Sequence, residues 1–385
     1  MSQQSAVELA RKDILPADPD SLGTKKPISE DMGGLSLLAS LSFLDRYLPV
    51  WIIGAMVIGV VLGYYTNAAD HLAEVQVDTV SLPIAVGLWL MMWPVLCKVK
   101  YEVLGELLRD RVLWYNMMLS LFLNWVVGPA LMTGLAWALL PDLPGYRNGI
   151  IIVGIARCIA MVLIWNQLAG GNPEHCAVMV AINSVMQIVL FAPLSMFYLR
   201  VVSQQYNGSD PNQIVLHLEF WAVMQSVLIF LGAPLVAGVI TRYGLIRLTS
   251  NEWYEKNFAA RIGPLALLAL LYTIIVMFTL QGHRVITEIG SVCRVCVPML
   301  VYFSIMWTGT MWFARHRMMR YEQAVTQAFT AASNNFELAI AISVSTFGIG
   351  SQEALAATVG PLVEVPALLA LVYVAIWLRK RLQWE

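Results

Sequence analysis

Two polar clusters interrupt long apolar stretches of this 385-residue chain, and their side chains are the ones that could do chemistry. In the first cluster Arg157 directly precedes Cys158, and in the second Asn335 lies two residues before Glu337. A thiol is a soft ligand for metals and metalloids, and a neighbouring cation favours its thiolate form. A carboxylate in an apolar stretch is costly and marks a proton path, an ion path or a paired cation. The two clusters therefore indicate a ligand site that also exchanges a proton or cation.

Two further positions complete the candidate site. Glu364 lies between Pro361 and Pro366, whose missing N–H groups leave carbonyls free and favour a local bend. Asn124 lies one helical turn before Gly128. We predict a substrate site formed by six side chains, of which Glu337 and Glu364 also exchange protons: Cys158, Arg157, Asn124, Asn335, Glu337 and Glu364. The alternatives are a packing kink at Asn124 and carboxylates that only fix helix packing.

The elements that must position these side chains are membrane helices. Hydrophobic residues make up 58% of the chain and charged residues only 13%, about half the charged fraction of a soluble domain. The net charge of -1 gives no indication of nucleic-acid binding. The five cysteines are odd in number and fall mostly in apolar runs, so we expect thiols rather than a disulfide framework.

Apolar runs long enough to span a bilayer recur ten times along the chain. They are predicted near Leu44–Tyr65, Val80–Cys97, Leu113–Leu140, Gly149–Ala169, His175–Val202, Leu218–Thr241, Ile262–Leu280, Val292–Ala314, Glu322–Phe347 and Gln352–Leu378. With the N-terminus inside, nineteen of the 24 Lys and Arg residues fall on the cytoplasmic side, four fall outside and Arg157 lies within a span. We expect a multi-pass protein of the cell membrane with both termini in the cytoplasm.

An internal repeat relates the two halves of the chain. A shift of 179 residues aligns 155–189 with 334–368, and it places Cys158 opposite Glu337. Each segment consists of a span that contains polar residues, a turn that contains glycine and a further span. Because each half has five spans, an odd number, the second half must cross the membrane in the opposite orientation to the first. We therefore expect spans four and nine to unwind and cross beside a cavity at the midplane, since free backbone at that depth needs protein or water as a partner.

The predicted organisation is an all-α integral membrane fold with two repeats. Residues 1–40 are polar and mixed in charge, and we interpret them as a cytoplasmic, disordered tail. The first five-helix repeat covers 41–202 and the second covers 203–385. Interrupted helices in corresponding positions of two inverted halves are typical of transporters with a site at the bilayer midplane.

The run Gly154-Ile155-Ala156-Arg157-Cys158-Ile159-Ala160-Met161-Val162, followed by 165–169, resembles the arsenite efflux permeases of the arsenical-resistance-3 type. The resemblance extends over roughly 44–380 and includes 124–129, 334–341 and 360–366. It implies two inverted five-helix repeats divided into core and panel domains, with broken, crossing helices four and nine. It also implies that Cys158 is the essential thiol and that Glu337 and Glu364 are the essential acidic residues.

From this resemblance we expect arsenite to be extruded in exchange for protons, with antimonite as a further candidate substrate. Cys158 would be the arsenic(III) ligand, because soft arsenic prefers thiolate, and a single thiol permits release. We expect no resident cofactor, no catalytic residues and no enzyme activity; the lipid bilayer is the expected surrounding, and a homo-oligomer is possible.

Three alternatives remain open on the residues alone. A sodium-coupled carrier of organic anions such as bile acids would share the fold. A membrane sensor, or an intramembrane enzyme using Glu337 and Glu364 as paired carboxylates, would belong to another class. The pair Cys293 and Cys296 has the spacing of a soft-metal or redox motif, although no second pair accompanies it.

Overall fold

The computed structural model describes residues 47–66, 68–69, 72, 76–77, 80–99, 111–159, 161–203 and 219–384. The predicted tail, 1–40, lies outside these ranges. The described elements are helices, with one two-stranded antiparallel ladder in which Gln76–Val77 (β1) pairs with Val80–Ser81 (β2). The second predicted span was therefore wrong at its start, because Val80 belongs to a strand and the helix begins at Leu82.

The helices follow the predicted apolar runs. In chain order they are Leu48–Tyr65 (α1), Leu82–Cys97 (α2), Arg111–Phe122 (α3), Gly128–Leu139 (α4), Pro144–Ile155 (α5), Met161–Leu168 (α6), Pro173–Ser195 (α7), Phe220–Val227 (α8), Ala233–Leu248 (α9), Asn251–Trp253 (α10), Ala260–Thr287 (α11), Ile289–His316 (α12), Tyr321–Ala332 (α13), Phe336–Phe347 (α14) and Gln352–Leu382 (α15). Wider π-helical turns continue four of them at Leu123–Val127, Met196–Val202, Leu228–Gly232 and Tyr254–Ala259.

Several of these helices are long and apolar enough to cross a membrane. Six continuous stretches meet that criterion in the described part of the chain, and three shorter apolar helices accompany them at Val50–Tyr65, Leu82–Cys97 and Phe336–Phe347. Helices of this length and composition need lipid as their solvent. The chain is a multi-pass, helical membrane protein.

Glycine allows two pairs of helices to approach closely. On α1, a Cβ added at Gly63 would lie 2.0 Å from the Thr279 carbonyl oxygen of α11. On α5, a Cβ at Gly149 would lie 2.6 Å from the Glu353 carbonyl oxygen of α15. Lipid tails are as apolar as the side chains of the helices, so the hydrophobic effect does not drive membrane helices together. Close van der Waals packing at small residues does so instead. The second contact packs the first half of one interrupted helix against the long C-terminal helix.

Two interruptions set the geometry at the protein centre. The chain leaves the helix between α5 and α6, and again between α13 and α14 at Ser333–Asn335. Both interruptions lie within apolar runs that the sequence predicts to unwind, Gly149–Ala169 and Glu322–Phe347. By contrast, α15 runs as one helix through Pro361 and Pro366.

Candidate functional site

The two interruptions meet and pair with each other. Arg157 and Asn334 form an isolated antiparallel β-bridge. The Asn335 N–H donates to the Ala156 carbonyl at 3.1 Å, and the Asn334 amide Nδ2 donates to the carbonyls of Val153 at 2.8 Å and Ala156 at 3.2 Å. Backbone at membrane depth must find protein partners, and here each broken helix supplies them to the other.

Local sequence explains why the second helix restarts where it does. Asn335 is the N-cap of α14, and its side-chain Oδ1 accepts from the Leu338 N–H at 3.1 Å. Asparagine is favoured at this position because it satisfies an otherwise free donor in the first helical turn. In the other interruption, Ala156 ends α5 in an extended conformation with φ of -74° and ψ of 117°.

Arg157 is fully buried beside this crossing. Its guanidinium donates to the Tyr302 hydroxyl at 2.9 Å and to the Gly154 carbonyl. The Tyr302 hydroxyl in turn donates to the Ala331 carbonyl at 3.2 Å, so α12 joins the two interrupted helices. The guanidinium Nε has no hydrogen-bond partner among the described residues. A buried cation whose Nε atom has no hydrogen-bond partner is suited to an anionic or hydroxyl-bearing ligand.

Cys158 is buried in the gap between α5 and α6. Its sulfur accepts from the Val162 N–H, in the first turn of α6, at 3.4 Å. Backbone N–H groups at the start of a helix favour negative charge, which suits a thiolate. Cys176 is also buried, but its sulfur contacts the Val162 carbonyl at 3.9 Å. The two thiols therefore have different polar surroundings.

The two acidic candidates lie on α14 and α15. Glu364 is buried, and its carboxylate accepts from the Asn334 N–H at 3.2 Å. Glu337, in the first turn of α14, is partly exposed. Both Glu337 and Arg157 are near enough to act electrostatically on Glu364. Because this carboxylate accepts a hydrogen bond from the backbone of the crossing, binding or loss of a proton by Glu364 would change the strength of that hydrogen bond.

The hydrogen bonds identified at the crossing among the described residues join Arg157, Asn335 and Glu364 through their neighbours, but they do not connect Cys158, Asn124 or Glu337 to this group. Gln187 Oε1 accepts from the Arg157 N–H at 3.1 Å and from Asn335 Nδ2 at 3.4 Å, so Gln187 bridges these two residues. Asn124 instead donates to the Ser120 carbonyl at 2.8 Å, and its Oδ1 finds no partner within the described ranges. Its helix reaches the site one turn later, at Gly128.

Sequence reasoning missed Tyr302 and the close packing at Gly128. A Cβ at Gly128 would lie 2.5 Å from the Arg157 Nη1 and 3.0 Å from the Tyr302 hydroxyl. A single tyrosine in an apolar span is no signal by itself. The sequence features that could have indicated this close packing are an arginine within a span and a glycine at the start of α4.

The other cysteines and a small cleft lie outside this crossing. None of the five cysteines, all of which are among the described residues, forms a disulfide, in agreement with the thiols that the sequence predicted; Cys293 is exposed on α12 and Cys296 is half-buried. A shallow cleft is lined by Met117, Ser120, Leu121, Met179, Ile182 and Asn183. Within the described ranges, no group of three or more His, Cys, Asp or Glu side chains is placed to hold a metal ion.

Known proteins resemble the chain over most of its length. Residues 85–288 match the Sodium Bile acid symporter family. The arsenical-resistance protein Acr3 of Corynebacterium glutamicum is 46% identical over 345 residues, covering 89% of this chain and 92% of that protein. An uncharacterized transporter of Synechocystis sp. is 32% identical, covering 86% and 88%. The Acr3 protein of Alkaliphilus metalliredigens is 27% identical, covering 87% and 93%.

Proposed function

We propose that this chain, which belongs to the Acr3 arsenical-resistance proteins within the Sodium Bile acid symporter family, carries arsenite out of the cytoplasm. Support comes from the 46% identity, which extends over most of both chains. The observation that carries the proposal is a buried thiol, Cys158, in the gap of an interrupted membrane helix. Antimonite, which has the same soft character, is the expected second substrate.

Arsenite at neutral pH is mostly uncharged trihydroxy arsenic(III). In the proposed mechanism the Cys158 sulfur replaces one hydroxyl, which leaves as water with the thiol proton, and an As–S bond forms. The Val162 N–H supports the sulfur during this exchange. One thiolate gives reversible capture, whereas three would hold the metalloid too tightly for release.

Buried polar atoms around the crossing would bind the remaining hydroxyls. The Asn124 Oδ1, the Asn334 Oδ1 and the Arg157 Nε lack partners within the described residues. A buried donor or acceptor without a partner costs free energy, of the order of 1–3 kcal/mol, and a hydroxyl-bearing ligand relieves that cost. These atoms offer acceptors for two hydroxyls and a donor for one.

Proton exchange is assigned to Glu364, assisted by Glu337. The Glu364 carboxylate accepts a hydrogen bond from the Asn334 N–H. Asn334 in turn forms a β-bridge with Arg157, the residue before Cys158. Protonation from the outside weakens the hydrogen bond to Asn334, because a neutral carboxyl is a poorer acceptor than a carboxylate. Loosening of the crossing then releases arsenic, which gives arsenite/proton antiport.

The proposal includes the finer architecture that the sequence predicts. Ten spans form two inverted repeats, 41–202 and 203–385, divided into core and panel domains, with both termini in the cytoplasm and the protein in the cell membrane. The pairing of two interrupted helices supports this arrangement, since inverted-repeat transporters form their sites from such helices.

Arsenite uptake into everted membrane vesicles tests this function. With an acidic interior, the unmodified protein should accumulate arsenite, and Cys158→Ala should abolish accumulation at matched expression. Cys176→Ala is the matched control, because it removes a second buried thiol that lies outside the gap. Equal uptake by Cys158→Ala would refute the thiol mechanism. Sodium-dependent taurocholate uptake without arsenite uptake would instead identify an organic-anion carrier.

The same vesicles test proton coupling. Abolishing the pH gradient while holding the membrane potential fixed should collapse arsenite uptake. Uptake that persists under these conditions would remove the proton from the mechanism.

A further inference from the structure

Two thiols that the proposed mechanism does not use lie together near the start of α12. Cys293 is exposed and Cys296 is half-buried, and both are free. They are three residues apart on one helix, so they occupy neighbouring positions on the same face. This pair is the one place described in the chain where two cysteines lie one helical turn apart.

The surroundings place the pair at a polar end of the protein. Arg294, between the two cysteines, forms two hydrogen bonds with the Asp142 carboxylate, both at 2.6 Å, and both side chains are about half exposed. These bonds lower the pKa of Asp142 to about 2, so the carboxylate stays ionised at any ordinary pH. Arg284 and Glu288 form a further ion pair at 3.3 Å in the turn before α12. Such a group of charges belongs at a water interface rather than in lipid.

The helical spacing of Cys293 and Cys296 is better suited to binding one atom between the two sulfurs than to forming a disulfide. The Cβ atoms of residues three apart on a helix are about 5–6 Å apart. A disulfide needs Cβ atoms about 3.8 Å apart, so a regular helix must distort to close one. A bridging atom lengthens the connection by one further bond, and the helix can then stay regular.

We propose that Cys293 and Cys296 form a second site for trivalent arsenic or antimony, which binds both thiols at the surface end of α12. Two As–S bonds form, two As–O bonds break, and the two thiol protons leave with the two hydroxyls as water; the third hydroxyl stays on arsenic. No oxidant or reductant takes part. The site takes the substrate of the proposed function but does not depend on transport, because its ligands are separate from Cys158.

Two-point attachment makes the site distinct from any single thiol. Once the first As–S bond has formed, the second sulfur is already close, so its bond forms within one molecule. Such linkage raises the overall affinity by about 10²–10⁴. Arsenite should therefore occupy the pair at concentrations at which it leaves a lone exposed cysteine free.

Protection from thiol labelling tests the site in the full-length protein. Right-side-out vesicles are treated with a membrane-impermeant maleimide at increasing arsenite concentrations, and modification of the Cys293 peptide is quantified by mass spectrometry. The unmodified protein should be protected at arsenite concentrations at least about 100-fold lower than Cys296→Ser. Cys158→Ala should keep the full protection even though it abolishes uptake, which separates this site from the transport site.

Three results would overturn the proposal. Equal protection of the unmodified protein and Cys296→Ser would mean that only one thiol binds. Protection lost in Cys158→Ala would mean that the effect arises at the transport site. No labelling of Cys293 in the absence of arsenite would mean that the thiol does not face water at this surface.

Discussion

Arg157 shows how a buried charge is accommodated at this site. A guanidinium in a span costs roughly 2.5–3.5 kcal/mol on insertion scales, so it requires partners within the protein. It finds a carbonyl at Gly154 and a hydroxyl at Tyr302, while one donor, Nε, stays without a partner in the described residues. The protein thus buries a cation next to Cys158 in the sequence and leaves its Nε donor unpaired among the described residues, an arrangement that the proposed arsenite site would use.

Glu364 gives the first prediction at this scale. Glu364→Gln keeps an oxygen that can accept from the Asn334 N–H, but it cannot exchange a proton at physiological pH. We expect uptake driven by a pH gradient to fall by roughly tenfold or more, in line with the loss of a positioned proton carrier. Arsenite uptake into everted vesicles measures this.

The matched control is Glu322→Gln, which neutralises an exposed carboxylate in the first turn of α13. It should transport like the unmodified protein. If Glu364→Gln retained full uptake that still depended on the pH gradient, the proton would have to travel through another group.

At the scale of the elements, two interrupted helices and one tyrosine form the centre. α5 and α6 on one side and α13 and α14 on the other exchange backbone and side-chain hydrogen bonds, and Tyr302 of α12 ties Arg157 to Ala331. This arrangement needs α4 to pass close to the guanidinium, which only a glycine at position 128 permits.

A comparison of Gly128→Ala with Gly134→Ala tests whether α4 must pass close to the Arg157 guanidinium. Both glycines lie on α4, so both substitutions bring the same gain in helix propensity, about 1 kcal/mol. A Cβ at Gly128 would lie 2.5 Å from the Arg157 Nη1, whereas Gly134 has nothing within 4 Å. We expect Gly128→Ala to lose transport and to destabilise the protein by about 1–3 kcal/mol from overpacking.

Gly134→Ala should transport normally and unfold at the same or a higher temperature. Arsenite uptake and thermal unfolding in detergent measure the two effects. Normal uptake by Gly128→Ala would show that the position of the guanidinium tolerates displacement.

At the scale of the whole molecule, one carboxylate joins distant parts of the chain. Glu288, in the turn between α11 and α12, accepts from the Tyr146 hydroxyl at 2.8 Å and from the Gln352 amide at 3.1 Å, and it pairs with Arg284 at 3.3 Å. The first turns of α5 and α15 are thereby tied to the α11–α12 turn. These contacts resist separation of the helices at that end.

Glu288→Ala should loosen this end without unfolding the protein. It removes two side-chain hydrogen bonds worth about 1 kcal/mol each. We expect amide hydrogen exchange in the second turns of α5 and α15 to rise by roughly tenfold or more, since 1.4 kcal/mol corresponds to a factor of ten. Mass spectrometry of the corresponding peptides measures the change.

Thr287→Ala is the control, because the Thr287 hydroxyl donates only to the carbonyls of His283 and Arg284 within its own helix. It should leave exchange in α5 and α15 unchanged. Unchanged exchange in Glu288→Ala would indicate that helix packing alone holds this end together.

The sequence alone determined the helices and the places where two of them are interrupted. The ten apolar runs all contain helix in the described structure, because a run of apolar side chains in lipid must satisfy its backbone internally. The polar clusters around Cys158 and Asn335 correctly predicted where two helices would be interrupted. The motif of the first cluster also pointed to the family that the relatives support. Local composition is sufficient for these features.

Only the tertiary structure decided which residues meet. The partners of Arg157 include Tyr302, 145 residues away, and the Glu364 carboxylate reaches the backbone of Asn334 across the turn between α14 and α15. No local pattern encodes such contacts, since they depend on how closely α4, α12 and the interrupted helices pack. The strand at Val80, which sequence reasoning assigned to a helix, is another such case: an apolar run of this kind fits either structure until its neighbours are known.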